Sequence, residues 1–309
     1  MNPPSIDRQA TLYAIAAITL FSAKPIFIKW IYQYGLDAST LMLLRLTIAA
    51  PLFLIAGLWT MRHRRTRVMD LLLASGLGLL GSYVSGLLDM LGLMYIPAQL
   101  ERMLVFTYPI FTLLFSWLIY RRQPAPGIFP YVLLVYVGLA LMFGTDLTAL
   151  GSDVIVGTGL VLVSAITFAL YMVLSRQPIQ RMGATPFTAI AMLTSTVAMV
   201  AHQGFWAPEQ LALNRMLGHP PTVYWLTTAL AIFCTFIPAL LGSEAVRRIG
   251  PEQVSLLGNA GPVITTFLAI GLLDEAFTVW HGIGMALVIL GVWGLQHPFF
   301  YDAHQRSSR

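Results

Sequence analysis

The chain has 309 residues, of which 57% are hydrophobic and 10% are charged, and its formal net charge is +5. Soluble proteins carry about 25% charged residues, so this composition excludes a water-soluble protein and indicates one that lies in a lipid bilayer. The single cysteine excludes an internal disulfide framework.

Apolar segments of the length that crosses a bilayer as a helix, about 20 residues, recur along the whole chain. They lack the polar stripe of a helix on the surface of a soluble protein. The predicted fold class is therefore an all-α membrane protein with ten transmembrane helices. The predicted spans are residues 11–31, 38–58, 71–95, 102–120, 128–145, 155–175, 186–203, 223–245, 253–272 and 277–297.

Basic residues are concentrated in alternate connections, which predicts the orientation by the positive-inside rule. With the N-terminus in the cytoplasm, 13 of the 18 Lys and Arg residues fall on the inner side, whereas Asp37 and Glu275 fall outside. We therefore expect a multi-pass protein of a bacterial-type inner membrane, with both termini cytoplasmic. The basic run at 62–67 is either a topology anchor or a site for nucleic acid or anionic lipid. We expect the anchor and no nucleic-acid partner.

The chain repeats itself once, with five predicted spans in each half. Gly35 recurs 148 positions later as Gly183, and Pro109 recurs 153 positions later as Pro262. Because each half has an odd number of spans, the second half enters the membrane upside down, an arrangement typical of transporters. The substrate site of such transporters lies between the halves and is exposed to each side in turn. The predicted repeats are residues 1–148 and 149–309.

Three stretches carry a resemblance to a known family: LMLLRLTIAAPLFL around Arg45, the segment around Pro109, and GPVITTFLAIGLLDEAFTVWHGIGMALVILGVWG in the second half. They resemble the ten-helix drug/metabolite transporter (DMT) superfamily, EamA type, and within it the bacterial amino-acid exporters. The resemblance covers nearly the whole chain and implies transport from the cytoplasm outward. The family has a glutamate at the end of the fourth span, where this chain has Arg121, whereas Glu275 is kept in the second half.

Ionisable residues inside a span cost about 2.5–3.5 kcal/mol and are candidates for function. Lys24, Arg45 and Asp89 all lie about 9–11 Å below the outer boundary at a rise of ~1.5 Å per residue, with Glu101 and Arg102 just above them. Such a layer could hold a zwitterion, its carboxylate facing the cations and its ammonium facing Asp89 or Glu101. Alternatively, the charges neutralise one another and hold the helices in register. Proton coupling through Asp89 or Glu101 is a third use.

Aromatic residues form a second set of candidates, because rings near the middle of the spans could line a central cavity and contact a substrate. Each ring alone is more typical of a packed core, but we predict that some of the set face a cavity. Asn259 either bonds across helices or faces substrate. The aromatic candidates are Phe21, Tyr83, Phe106, Tyr108, Phe168 and Tyr171.

Prolines mark points where the helices are expected to change direction. Pro25 follows Lys24, and because a proline leaves a backbone carbonyl without its donor, a hinge or a polar notch is expected in the first span. The structural or gating candidates are Pro25, Arg45, Glu101, Arg102, Pro109 and Pro262.

Motifs for other chemistry are missing from the sequence. It contains no GxxxxGK[ST] phosphate loop, HExxH, Cys/His cluster or GxSxG elbow. The six histidines fall in predicted loops or near span ends, and we expect them to be solvated or interfacial. We therefore expect no catalytic residues, metal or cofactor, and no enzyme.

These expectations combine into a secondary transporter of the inner membrane that exports small zwitterionic metabolites by alternating access. Amino acids with aromatic or other neutral side chains are the expected substrates. The alternatives are a carrier of sugar phosphates, nucleosides or drugs, a membrane-embedded enzyme, and a non-transporting structural subunit. The expected partners are a small-molecule substrate and the lipid bilayer, and the expected state is a monomer.

Overall fold

The computed structural model describes residues 8–62, 67–121, 129–206, 218–258 and 260–296, which are nearly all helical and contain no strand. Eight helices are long and apolar enough to cross a membrane. Two shorter apolar helices, residues 261–273 and 279–294, lie where the last two spans were predicted. The predicted class, an all-α membrane protein built from ten helical spans, is confirmed.

The helices of the first half form the five spans predicted for it. The first, third and fourth of these spans are each interrupted. The helices are α1 (Arg8–Ser22), α2 (Lys24–Tyr32), α3 (Ala38–Met61), α4 (Val68–Gly78), α5 (Ser85–Gly92), α6 (Ala98–Val105), α7 (Tyr108–Tyr120) and α8 (Phe129–Leu150).

The helices of the second half follow the same order. The helical backbone continues through Pro251, where a connection between the eighth and ninth spans was predicted. The helices are α9 (Asp153–Met182), α10 (Ala184–Trp206), α11 (Pro221–Ala231), α12 (Ile237–Gly258), α13 (Ala260–Leu273) and α14 (Val279–Gln296).

Local backbone features recur at the repeat spacing. A π-helical turn at Leu79–Val84 joins α4 to α5, and a second one at Ile232–Phe236 joins α11 to α12. The first residues of these turns are 153 positions apart. Gly35 and Gly183, which are 148 positions apart, both have positive φ, at 78° and 95°. The two halves therefore share backbone conformation as well as sequence, as duplicated and inverted repeats do.

A proline follows the break in the fourth span. α6 ends at Val105 and α7 restarts at Tyr108, just before Pro109. Because proline cannot donate to the preceding turn of a helix, the fourth span is divided in two. Its repeat counterpart, Pro262, lies in α13.

Glycines bring the last spans of the two halves into close contact. A Cβ atom added to Gly284 of α14 would lie 2.6 Å from the carbonyl oxygen of Gly138 in α8, and one on Gly291 would lie 2.7 Å from the carbonyl oxygen of Tyr131. Small residues allow such backbone contact within a membrane. In the same way, Gly78 of the third span packs directly on the backbone of α10.

Asp37 caps the N-terminus of α3. Its carboxylate accepts hydrogen bonds from the backbone N–H of Thr40 at 2.9 Å and from the hydroxyls of Thr40 and Ser39 at 2.7 and 2.5 Å. Burial acts to raise the pKa of Asp37, but these hydrogen bonds outweigh it and hold the pKa below its ordinary value. A carboxylate at this position satisfies donors that the helix leaves free.

Candidate functional site

The break at Pro25 in the first span creates the polar notch that the sequence predicts. Pro25 has no N–H to donate to the carbonyl of Phe21, and that carbonyl instead accepts a hydrogen bond from Arg102 Nη2 at 3.0 Å. The next carbonyl, that of Ser22, accepts from the Thr265 hydroxyl at 2.8 Å. The notch therefore ties the first span to the fourth span of its own half and to the ninth span, in the other half.

A buried ion pair lies beside this notch. Lys24 Nζ contacts Asp89 Oδ2, and the two residues are 7% and 3% exposed. Lys24 Nζ also lies 5.6 Å from the centre of the Phe21 ring, and the Arg102 guanidinium carbon lies 6.0 Å from it. Phe21 itself is 37% exposed. One partly open ring is thus flanked by two buried cations, a geometry that favours cation–π attraction.

A second carboxyl completes the charge cluster, which we define as Lys24, Arg45, Asp89, Glu101 and Arg102. Glu101 is 1% exposed, and its Oε2 lies 3.9 Å from Arg102 Nε, too far for a hydrogen bond. The carboxyls of Glu101 and Asp89 lie near enough to interact electrostatically, and both also interact with Lys24 and Arg102. Arg45 is 6% exposed and faces Asp89 from α3.

Several atoms of the charge cluster have no hydrogen-bond partner among the described residues, although all of them are buried. They are Arg45 Nε, Asp89 Oδ1, Glu101 Oε2 and Arg102 Nε. A buried polar atom without a partner costs about 1–3 kcal/mol, and more if it is charged. The pairing that was one of the three predicted uses is present between Lys24 and Asp89, yet the charge cluster still contains donors and acceptors without a partner among the described residues.

Five rings form a continuous row next to the charge cluster. The centroids of neighbouring rings are 6.0, 5.5, 5.9 and 6.1 Å apart. Four of the rings were predicted as candidates, and Phe187 extends the row into α10. Such distances are typical of favourable ring pairs. In order, the row contains Phe106, Tyr108, Phe168, Tyr171 and Phe187.

Tyr83 lies apart from this row, in the first π-helical turn. Its hydroxyl is 2.6 Å from His202 Nδ1 of α10, in a hydrogen bond that joins the two halves. Asn259 lies outside the described residues.

The expectation that the histidines are solvated or interfacial is wrong for His281, which is 1% exposed. Its Nε2 lies 3.2 Å from Asp146 Oδ1, and its Nδ1 accepts from the backbone N–H of Thr278 at 3.2 Å. These two partners compensate for the loss of water on burial. Among the described residues, no group of three or more His, Cys, Asp or Glu side chains could hold a metal ion.

Glu275 makes a contact between the halves that the sequence did not reveal. Its carboxylate accepts hydrogen bonds from the backbone N–H groups of Ala98 and Gln99 at 2.7 and 3.2 Å, at the start of α6. The Gln99 side chain donates in turn to the Ala276 carbonyl at 2.8 Å. Burial raises the pKa of the Glu275 carboxyl, although the two amides and the charge of Lys29 act to lower it.

Helices from the two halves meet at one face of the membrane domain. We call the face where α1 begins the N-terminal face and the opposite one the distal face. At the distal face, α6 packs against α13 and α2. A Cβ atom on Gly258 of α12 would lie 3.3 Å from the Phe106 ring, a second contact between the halves.

Comparison with known proteins gives a family match in both halves. The sequence profile of the EamA-like transporter family matches residues 8–144 and again residues 155–296. Each match covers one set of five predicted spans.

Individual proteins are similar over the same extent. The "Uncharacterized transporter YcbK" of Bacillus subtilis is 29% identical over 290 residues, which cover 93% of this chain and 92% of that protein. An "Uncharacterized transporter" of Archaeoglobus fulgidus is 23% identical over 250 residues, 81% of this chain and 85% of its own. A solved crystal structure with 19% identity superposes with a TM-score of 0.67 over 96% of this chain and 99% of its own, which shows a shared fold.

Proposed function

The chain belongs to the EamA-like transporter family, and from this premise we propose that it is a secondary transporter that exports small zwitterionic metabolites by alternating access. Its substrates are amino acids with aromatic or other neutral side chains. The charge cluster beside Phe21 is the observation that carries this proposal.

The charge cluster supports a zwitterionic substrate because it offers both kinds of partner within one small region. Among the described residues, Arg102 Nε and Arg45 Nε are buried donors without an acceptor, and Asp89 Oδ1 and Glu101 Oε2 are buried acceptors without a donor. A carboxylate supplies acceptors to the first pair, and an ammonium group supplies donors to the second. A substrate that carries both groups therefore removes a desolvation cost that the unliganded protein bears.

The row of aromatic rings supports a neutral or aromatic side chain. Phe106 starts the row next to Arg102 in α6, and Tyr108 and Phe168 are half-buried rather than sealed in the core. Uncharged rings beside a charged site can pack against the apolar part of a substrate whose charged groups bind at that site. Tyr108, Phe168 and Tyr171 accordingly contact the substrate side chain.

The charges also argue against the alternative of a sugar phosphate. A dianionic phosphate requires several free cations, yet Lys24 is already paired with Asp89 and Arg102 donates to the Phe21 carbonyl. An amino-acid carboxylate carries one charge and matches the smaller positive potential that remains.

Orientation in the membrane follows from the basic connections between spans. Arg62, Arg181 and Arg248 lie near the N-terminal face, which by the positive-inside rule is cytoplasmic. The protein then lies in a bacterial inner membrane with both termini inside. The contact of α6 with α13 then lies on the outer side of the membrane.

Counterflow in proteoliposomes tests the proposal. Vesicles loaded with unlabelled phenylalanine are expected to accumulate labelled phenylalanine, with competition by leucine and threonine but not by glucose 6-phosphate or uridine. Arg102→Gln is expected to reduce exchange roughly tenfold, since a hydrogen bond to a charged group is worth ~1.5–3 kcal/mol.

Arg181→Gln is the matched control, because the Arg181 side chain is 55% exposed and lies outside the charge cluster. Exchange of the phosphate ester or the nucleoside without exchange of any amino acid would overturn the proposal.

A further inference from the structure

A histidine takes part in the N-terminal capping of α14. Thr278 lies directly before Val279, the first residue of this helix, and its carbonyl accepts a hydrogen bond from the N–H of Gly282 at 3.2 Å. The Thr278 hydroxyl accepts from the backbone N–H of His281 at 3.4 Å. His281 Nδ1 in turn accepts from the backbone N–H of Thr278 at 3.2 Å. The two reciprocal bonds form a capping box in which an imidazole takes the place of the usual glutamate or glutamine.

The hydrogen bonds of the imidazole ring specify its neutral form. His281 Nδ1 faces two groups of Thr278, the backbone N–H and, at 2.8 Å, the hydroxyl. Because a backbone N–H can only donate, Nδ1 is an acceptor, and the ring proton lies on Nε2, 3.2 Å from Asp146 Oδ1. The hydroxyl can rotate to accept from a protonated Nδ1, but the backbone N–H cannot. A second proton on the ring therefore breaks one half of the capping box.

The capping box fixes one end of a loop that joins the two halves. This distal loop, residues 274–278, connects α13 to α14 and has no helical structure. Near its start, the Glu275 carboxylate accepts hydrogen bonds from the amides of the first two residues of α6. Its last residue, Thr278, is held by His281. The position of Glu275 against α6 therefore depends on the capping box.

Charges around His281 act on its protonation in opposite directions. Asp146, the only charged residue of α8, favours the imidazolium ion, whereas the partial positive charge at the start of α14 disfavours a cation. Protonation therefore keeps the bond to Asp146 and breaks the one to Thr278. The last spans, α8 and α14, then stay together while the loop is released.

Other charged groups near α14 belong to three elements. In the distal loop, Glu275 interacts with Asp146 and with Lys29 of α2, and Asp274 is exposed. α7 also packs against α14, and tyrosines are its only titratable side chains. The charged side chains of α12 that the structure describes form ion pairs at the N-terminal face, and they are Glu244, Arg247 and Arg248.

We propose that the capping box of Thr278 and His281 is a pH-sensitive switch that controls how firmly the distal loop is held. With a neutral His281, the loop is fixed and Glu275 binds α6. With His281 protonated, the backbone N–H of Thr278 loses its acceptor, and the loop releases α6 more often. Imidazole is the side chain that titrates between about pH 5 and 8. The switch does not depend on which substrate the protein carries.

Glu275 itself predicts the opposite response to acid. Burial raises the pKa of its carboxyl, so the closed contact binds that proton more tightly and is favoured as the pH falls. The first half offers no second box, because Ala125 and Ile128 stand 153 positions before Thr278 and His281. Loosening of the distal contact on acidification therefore distinguishes the capping box from Glu275.

Cysteine labelling in nanodiscs tests the switch without any substrate. The reporter is Leu100→Cys in a Cys234→Ser background, because Leu100 is buried in the first turn of α6. Ser152→Cys, at an exposed position after α8, corrects for the effect of pH on thiol reactivity. The corrected rate of labelling by a maleimide is expected to rise about fivefold between about pH 8 and about pH 5.5, as for the loss of one helix cap.

His281→Gln is the matched variant. Glutamine at this position of a capping box accepts from the N–H of Thr278 and donates to Asp146, but it does not titrate. The variant is expected to label slowly at both pH values. A wild-type rate that does not change with pH, or an equal rise in His281→Gln, would overturn the proposal.

Thr278→Ala tests the capping box without a change of pH, and it decides the question if His281→Gln does not fold. It removes the acceptor of the His281 N–H, so labelling is expected to be about fivefold faster than in the wild type already at about pH 8. If Thr278→Ala labels as slowly as the wild type, the capping box does not hold the loop and the proposal is wrong.

Discussion

Arg121 and Asp274 lie 153 positions apart, and they are the two non-glycine residues with positive φ in the described part of the chain, at 52° and 53°. Left-handed φ is uncommon outside glycine, so a shared conformation at related positions marks the two ends as copies of one turn. The next residue differs, because the first half has Arg122 where the second has Glu275. Only the second half therefore has a carboxylate directly after this turn.

Replacing Glu275 is expected to loosen the distal contact. Glu275→Ala removes the acceptor of the Ala98 and Gln99 amides. Hydrogen bonds to a charged group are worth ~1.5–3 kcal/mol, so opening should increase roughly tenfold or more. The measurement is labelling of Met103→Cys, a buried position in α6, by an impermeant maleimide from the distal side. Asp153→Ala serves as control, and an unchanged labelling rate in Glu275→Ala would contradict the role of this contact.

Asp37 and Glu275 are expected to affect stability with opposite dependence on pH. The pKa of Asp37 is lowered in the folded protein. Its contribution to the stability of the fold is therefore present above the ordinary pKa of an aspartate and is lost as the pH falls through the lowered pKa. The pKa of Glu275 is raised, so the folded protein binds the proton more tightly and stability falls as the pH rises through that value.

Thermal unfolding in detergent at several pH values checks this prediction. As the pH is lowered, the unfolding temperature of the wild type should approach that of Asp37→Asn. Over the same pH change, it should rise relative to that of Glu275→Gln. Parallel pH profiles for the two variants would show that the assignment of the two shifts is wrong.

Gly81 is expected to control the position of the Tyr171 ring. A Cβ atom on Gly81 would overlap this ring, whereas one on Gly76 meets nothing within 4 Å. Gly81→Ala should therefore lower phenylalanine exchange as Tyr171→Ala does, while Gly76→Ala should preserve it and stabilise α4 by up to ~1 kcal/mol. If exchange is the same in Gly81→Ala and Gly76→Ala, Tyr171 does not contact the substrate.

The Lys24–Asp89 pair is expected to respond to single and double substitution differently. Removing one partner leaves an unpaired buried charge, which costs about 3–5 kcal/mol. Lys24→Ala and Asp89→Ala should each unfold at lower temperature than the double variant. If the loss of stability in the double variant equals the sum of the losses in the two single variants, the two charges do not stabilise each other.

Residues at a similar depth within one half were easier to relate from the sequence than residues in different halves. Counting residues along the spans placed Lys24, Arg45 and Asp89 at a common depth with Glu101 and Arg102 just above, and Lys24 and Asp89 form an ion pair in the structure. Charge and depth suffice for such a prediction, because a buried charge in a membrane needs a nearby partner.

Contacts between the halves carried no comparable signal. Glu275 lies more than 170 positions from the amides that it binds, and nothing in a single sequence relates the two. His281 was predicted to be interfacial because it lies near the end of a predicted span, and its buried partner Asp146 lies 135 positions away. The π-helical turns escaped prediction because their residues fit an ordinary helix equally well.

The paired π-helical turns have a consequence for the history of the chain. A π turn holds one more residue than an α turn, and both copies carry the surplus at equivalent places. The insertion of one residue in an ancestral five-span protein, followed by duplication of its gene, accounts for both π-helical turns. The ancestor would then have had to assemble as an antiparallel pair of identical subunits, each already wound in this way.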